Sequence, residues 1–88
     1  MTEVTIYSSM LCPFCTRAKR LLKEKEVPFT EIDLMQHPLR KREMVEKAGG
    51  LTSVPQIFIG ETHIGGCDEL YALEAEGKLD PLLEGQAA

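Results

Sequence analysis

The chain predicts an α/β domain: a mixed four-stranded sheet in the element order β-α-β-α-β-β-α, flanked by helices. Three observations predict it. Val4 and Ile6, and later Thr30, Ile32 and Leu34, alternate with polar neighbours as half-buried strands do. Between those runs Ala18, Leu21 and Leu22 recur at helical spacing, so the opening β-α-β unit implies a right-handed crossover with its two strands parallel. Gly60-Glu61, set between two short apolar runs, fits a tight hairpin turn and adds an antiparallel pair.

The elements follow in order. Residues 3 to 7 form the first strand. The first helix starts at Pro13, where the missing N–H has no intrahelical partner to lose, and runs to about residue 25. Val27-Pro28 ends it, and residues 29 to 34 form the second strand. Pro38 opens a second helix whose apolar face is Met44, Val45 and Ala48, stopped by Gly49-Gly50 through the freedom of glycine to take positive φ. Gln56 to Ile59 is the third strand, and residues 62 to 64 return as the fourth. Gly65-Gly66 leads into a third helix, residues 67 to about 76, which buries Leu70 and Leu73 and closes at Gly77. Asp80-Pro81 reads as a cap and first residue of a last short turn carrying Leu82 and Leu83, with residues 84 to 88 as a frayed tail.

The 88 residues form one domain, 1 to 88, with an ordered core of about 3 to 83, because a chain of this length buries one core without disulfide staples. Hydrophobic residues make up 43% and charged residues 27%, ordinary globular values without an internal repeat or linker. No apolar run approaches a membrane span, and residues 1 to 9 lack the regions of a signal peptide, so a cytoplasmic location is expected. An odd count of three cysteines argues against a structural disulfide framework. The net charge of −4 is uneven. Residues 1 to 48 hold nine of the ten Lys and Arg against seven acids, whereas from Gly49 onward Lys78 faces seven acids alone. An acidic balance without a groove-binding motif excludes a nucleic-acid partner. The basic residues lie on segments read as helices, either as solvated faces or as a mildly positive field that attracts a small anionic thiol.

Cys12-Pro13-Phe14-Cys15 carries the chemistry. Two thiols three positions apart, where a strand runs into a helix, lie near the positive end of the helix dipole, which favours a thiolate. At the N-cap, Cys12 would receive hydrogen bonds from first-turn N–H groups and attack a disulfide, while Cys15, one turn in and better shielded, would resolve the mixed disulfide. The same spacing also serves zinc. Arg17 and Lys19 either add to the field on Cys12 or are solvent-facing charges, and Phe14 either packs inward or walls the site. Ser53-Val54-Pro55 precedes the third strand. A cis Val54-Pro55 bond would leave the Val54 backbone free to pair with an extended peptide, although a strand-initiating proline explains the same sequence. Gly65-Gly66-Cys67-Asp68 offers free N–H groups at a helix start for a carboxylate, with Asp68 for an amine, the two ends of an amino acid; Asp68 as a plain helix-start charge is equally consistent. Cys67 is either a small buried side chain or a third oxidisable thiol.

Three segments in register resemble the glutaredoxin family, in its short dithiol bacterial form: Cys12-Pro13-Phe14-Cys15, Ser53-Val54-Pro55-Gln56-Ile57-Phe58-Ile59 and Gly65-Gly66-Cys67-Asp68-Glu69-Leu70. The resemblance spans residues 3 to 83 and implies a thioredoxin-like fold. It also implies glutathione as co-substrate with no bound cofactor, reduction of protein disulfides, and removal of glutathione from glutathionylated proteins. An NADPH-dependent reductase would recycle the glutathione. Ribonucleotide reductase is a protein partner it suggests, no membrane partner is implied, and a monomer is expected.

By resemblance Cys12 is the nucleophile and Cys15 the resolving thiol. The Val54 backbone pairs with the cysteinyl part of glutathione, and Ser53 and Pro55 belong to the same glutathione-binding set. Gly66, Cys67 and Asp68 grip its γ-glutamyl end, and Phe14 stands where tyrosine is usual. Ser53 replaces the usual threonine. Ser8-Ser9-Met10-Leu11 and Leu51-Thr52 stand where relatives often carry basic residues, leaving Lys41 or Arg42 to hold the glycine carboxylate. An alternative role is an iron–sulfur cluster or metal carrier using the same cysteine, which the rigid Pro13 disfavours. Zinc storage would need Cys12, Cys15 and Cys67 with His37 or His63, neither of which has ligand spacing to a cysteine. A thioredoxin fed by its own reductase is argued against by the Asp68 site.

Overall fold

The computed structural model describes residues 3–84. Four strands, β1 (Val4–Ser8), β2 (Thr30–Asp33), β3 (Gln56–Ile59) and β4 (Thr62–Gly65), form one sheet in the order β2-β1-β3-β4. β1 runs parallel to β2, with Thr5 opposite Thr30, and antiparallel to β3, with Ile6 opposite Ile57. β3 and β4 pair antiparallel through the Gly60-Glu61 turn, with a register shift between Ile57 and Phe58. The expected mixed sheet is therefore present.

Side-chain alternation sorts the strand residues between two cores. Val4, Ile6, Ile57 and Ile59 point to one face, where they pack against Ala18, Leu21 and Leu22 of α1 (Pro13–Glu24) and Cys67 and Leu70 of α3 (Cys67–Ala75). Leu79 and Leu83 of α4 (Leu79–Leu83) close the same core. Tyr7, Ile32 and Phe58 point to the other face and meet Met44 and Ala48 at α2 (Lys41–Lys47), so helices cover both faces. Val45, Leu34 and Leu73 are only partly buried against these cores.

Several boundaries move. Pro38 opens a 3-10 turn, Pro38–Arg40, before α2 begins, held by the Arg40 N–H on the His37 carbonyl at 3.0 Å. Past α2, Gly49 and Gly50 take φ of +67° and +99°, the left-handed stop expected of them. Asp80-Pro81 does not cap α4: the helix starts at Leu79 with Lys78 as its N-cap. Burial of Leu79 and Leu83, one turn apart, sets that start, and Pro81 remains in the first turn where its missing N–H costs nothing. Residues 85 to 88 of the expected tail lie outside the described residues.

α1 and β2 are tied down by ion pairs. Lys25 at the end of α1 pairs with Glu74 at 2.7 Å and Asp80 at 3.0 Å, and Lys19 pairs with Glu31 at 2.7 Å. Tyr7, fully buried, donates its hydroxyl to Glu43 at 2.5 Å, and Arg40 holds the same carboxylate through two nitrogens at 2.8 and 3.0 Å. Burial first, then the Glu43 carboxylate, pushes the Tyr7 phenol up to about 12.

Candidate active site

Cys12 is the N-cap of α1, in extended backbone with φ −101° and ψ 113°. Its backbone, rather than its side chain, caps the helix: the Cys12 carbonyl accepts the N–H groups of Cys15 at 3.1 Å and Thr16 at 3.4 Å. The expected N–H donors to the Cys12 sulfur are not formed. A protonated thiol is a donor, and this one turns across to the Val54 carbonyl at 3.5 Å, linking the start of α1 to the loop before β3.

Cys15 behaves as the shielded member of the pair. It is 1% exposed, and its sulfur receives the Ser9 backbone N–H at 3.4 Å. Burial pushes its thiol up to about 12, with the neighbouring Cys12 adding to the rise and the Ser9 N–H and Lys19 opposing it. Cys15 therefore remains a thiol while Cys12 is free. Arg17 and Lys19 do not converge on Cys12. Arg17 lies 5.7 Å over the Tyr71 ring and opposes the burial that raises the Cys67 thiol, while Lys19 sits on Glu31 and acts on Cys15.

Beside the thiols a cavity of about 190 Å³ is lined by Phe14, Ser53, Val54, Pro55, Gly66, Cys67, Asp68 and Glu69. Phe14, Ser53, Val54, Pro55, Gly66, Cys67 and Asp68, the seven residues expected to surround the thiol pair, thus converge, though drawn from three separated segments. Val54-Pro55 is cis, and Val54 precedes β3, outside the sheet ladder. Phe14 is half-exposed at the wall, and Met10 and Leu11, just before Cys12 in the chain, are 70% and 79% exposed. Cys67 is buried at the start of α3, and its thiol is raised by that burial.

One correction bears on the anion-binding end. The Gly66 N–H is not free: the Glu69 side chain reaches back and accepts it at 2.7 Å, as a capping glutamate three residues into a helix does. The remaining first-turn donors are those of Cys67, Asp68 and Glu69. Glu69 was the pocket residue that motif reading passed over, although its third position after the Gly66 N-cap signals the contact. The Asp68 carboxylate is exposed at the same helix start.

Lys41 lines a separate hollow of about 270 Å³ with Ser9, Leu34, Met35, Pro38, Thr52 and Val54, the last being shared with the first cavity. A larger hollow of about 530 Å³, lined by Glu3, Thr5, Tyr7, Lys47, Phe58, Gly60 and Glu61, touches none of the three thiols. Among the described residues no group of three or more His, Cys, Asp or Glu side chains could hold a metal ion. His63 is held by Gln56 at 2.6 Å and packs on Phe58 with ring centroids 5.0 Å apart. Among the described residues no helix is long and apolar enough to cross a membrane.

The chain is similar to known proteins in both sequence and fold. Residues 4–64 match the family model described as Glutaredoxin. The chain is 55% identical over 83 residues to a glutaredoxin of Pseudomonas aeruginosa, covering 94% of this chain and 98% of that protein. A glutaredoxin from Brucella melitensis, solved in solution, superposes with a TM-score of 0.83 at 52% identity, over 100% of this chain and 95% of that one. A buckwheat glutaredoxin–glutathione complex superposes with a TM-score of 0.86 at 30% identity, over 96% of this chain and 78% of that one.

Proposed function

The chain belongs to the glutaredoxin family and is a thiol–disulfide oxidoreductase with a thioredoxin-like fold, and from that premise we propose that it works with glutathione through Cys12 and Cys15. The observation that carries the proposal is the convergence of Cys12 and the Val54 backbone, 3.5 Å apart, with a cavity ending at the N-terminus of α3.

That arrangement suits a γ-linked tripeptide bound in an extended form. The cysteinyl segment lies along Val54 and brings its sulfur to Cys12. The γ-glutamyl carboxylate meets the first-turn N–H groups of Cys67 and Asp68, and the Asp68 carboxylate takes the α-amino group. Phe14 covers the site from the side of α1. Lys41, which lines a hollow together with Val54, is the cation this reading assigns to the glycine carboxylate. That the buckwheat relative was solved with glutathione supports this choice of thiol.

Two reactions follow. In deglutathionylation the Cys12 thiolate attacks the glutathione sulfur of a protein mixed disulfide, and the protein leaves as its thiolate. A second glutathione then attacks the Cys12 adduct, releasing glutathione disulfide and returning Cys12. In reduction of a protein disulfide Cys12 attacks first, Cys15 displaces the substrate sulfur, and two glutathione molecules reduce the resulting Cys12–Cys15 disulfide. The Cys15 thiol is well placed for the second role. Part of what holds its proton is the adjacent Cys12 sulfur, and that influence ends once Cys12 enters a mixed disulfide. The chain acts as a monomer on disulfide-containing or glutathionylated proteins in the cytoplasm, ribonucleotide reductase being one such disulfide partner.

Serine substitution tests the division of labour. Cys12→Ser is expected to lose both activities, whereas Cys15→Ser keeps deglutathionylation and loses dithiol reduction, each followed by coupled oxidation of NADPH through glutathione reductase. Full turnover by Cys12→Ser would overturn the assignment.

A further inference from the structure

Behind Cys15 lies a side-chain network that the reaction scheme above does not use. Ser8 is fully buried at the end of β1, and its hydroxyl donates to Glu31 Oε2 on β2 at 2.6 Å. Lys19 Nζ donates to the same oxygen at 2.7 Å. Lys19 stands four residues after Cys15 on α1, so both side chains share one helix face. Ser9, next in chain to Ser8, places its N–H on the Cys15 sulfur at 3.4 Å. One strand end, one helix face and one neighbouring strand thus meet around the resolving thiol.

We propose that Lys19, held in place by Glu31 and Ser8, is a positioning cation for the resolving step, steadying the negative charge on Cys15 as it attacks the Cys12 mixed disulfide. The proposal rests on the dithiol reading above. Cys15 gives its proton to solvent, and its electron pair forms the Cys15–Cys12 bond. The bond between Cys12 and the substrate sulfur breaks, and that sulfur leaves as a thiolate that solvent protonates. Lys19 keeps its protons throughout.

The need for such a cation follows from burial. A thiolate in the position of Cys15 has given up its hydration, and desolvation is the largest influence keeping it protonated. Against it stand one backbone N–H and the Lys19 charge. Glu31 adds fixation: with Ser8 and Lys19 sharing one of its oxygens, the flexible lysine stem is held at one place. Burial of Glu31 favours its protonated form, but the hydrogen bonds from Lys19 and Ser8 outweigh this and keep it a carboxylate. The competing account is a partly exposed ion pair with no bearing on the chemistry, which by itself is worth little.

The two accounts separate by experiment on the full chain. Lys19→Met and Lys19→Gln remove the charge, and Lys19→Arg keeps it. If the thiolate fraction of Cys15 falls tenfold, its intrinsic nucleophilicity rises about threefold, so the resolving rate falls about threefold. The ratio of protein-disulfide reduction to deglutathionylation is therefore expected to fall about threefold in Lys19→Met and Lys19→Gln and to recover in Lys19→Arg. In the Cys15→Ser background, Lys19→Met is expected to change nothing further. An unchanged ratio, or a parallel loss of both activities that persists with Cys15→Ser, overturns the proposal. A second measurement does not depend on glutathione turnover: the pH profile of Cys15 alkylation in Cys12→Ser protein, read by peptide mass. Lys19→Met should move that profile to higher pH. A profile that stays put sinks the inference and leaves the glutathione reading standing, whereas failure of wild-type protein to use glutathione sinks that reading and leaves the alkylation result to decide this one.

Discussion

Replacing Gly65 with alanine is expected to destabilise the protein by about 3 kcal/mol through two separable effects. Gly65 ends β4 with φ +115°, a conformation that a residue with a Cβ adopts only under strain, worth about 2 kcal/mol. The added Cβ would also stand 2.9 Å from both Cγ and Oε1 of Glu69, so the glutamate must swing away. That movement breaks its 2.7 Å contact with the Gly66 N–H, a helix cap worth about 1 kcal/mol. For a domain of this size, 3 kcal/mol corresponds to a fall in Tm of about 12–24 °C. Thermal unfolding of Gly65→Ala, Glu69→Ala and the double variant, followed by circular dichroism, checks the reasoning. Glu69→Ala alone should cost about 1 kcal/mol, because only the cap is lost. In that background Gly65→Ala retains only its backbone strain, so the double variant should be no less stable than Gly65→Ala by itself. A Gly65→Ala protein within about 1 kcal/mol of wild type, or costs that simply add, would refute the account.

Other expectations follow from the same structure. Glu26, at the turn after α1, has φ +57° and is exposed, so Glu26→Gly relieves left-handed strain and should raise stability by about 0.5–1 kcal/mol after the glycine entropy is offset, whereas Glu26→Ala should not. Tyr7→Phe removes a hydroxyl bonded to a carboxylate and should cost about 1.5 kcal/mol, a Tm fall of about 6–12 °C by calorimetry. The Arg40 guanidinium, then the Tyr7 hydroxyl, holds the Glu43 carboxyl down from 4.5 to about 2. A carboxyl lowered on folding stabilises above its unfolded value, so this contribution is complete above pH 4.5 and is lost as pH falls towards 2. Because the side chain is 35% exposed, the loss is about 1 kcal/mol, and urea unfolding between pH 5 and 2.5 should show a smaller decline in Glu43→Gln than in wild type.

Much of the fold and the site could be read from local pattern. The alternation at Val4 and Ile6 and the helical spacing of Ala18, Leu21 and Leu22 reported faces that the structure buries. Gln56 to Ile59 is a strand in sequence and structure alike, since a short apolar run between Pro55 and Gly60 has little freedom to shift. Asp80-Pro81 misled because its cap chemistry is local, whereas the start of α4 is set by Leu79 entering a core built from distant residues. Cys12 was expected to take N–H bonds from its own helix. Its thiol instead found a carbonyl 42 residues away, which helix-end reasoning cannot supply.

The family resemblance marked the three segments that form the pocket, and residue order by itself determined the thiol pair at a helix start and the β-α-β-α-β-β-α sequence. These follow from forces acting over a few residues: side-chain periodicity, the missing N–H of proline and the backbone freedom of glycine. Tertiary structure decided which charges act on which sulfur. Lys19 is directed to Cys15 because Glu31, 12 residues on, arrives beside it through the parallel pairing of β1 and β2. Ser8 meets that carboxylate across 23 residues, and Tyr7 meets Glu43 across 36. Coulomb and hydrogen-bond energies depend on distance in space, and chain packing sets that distance independently of the separation along the sequence.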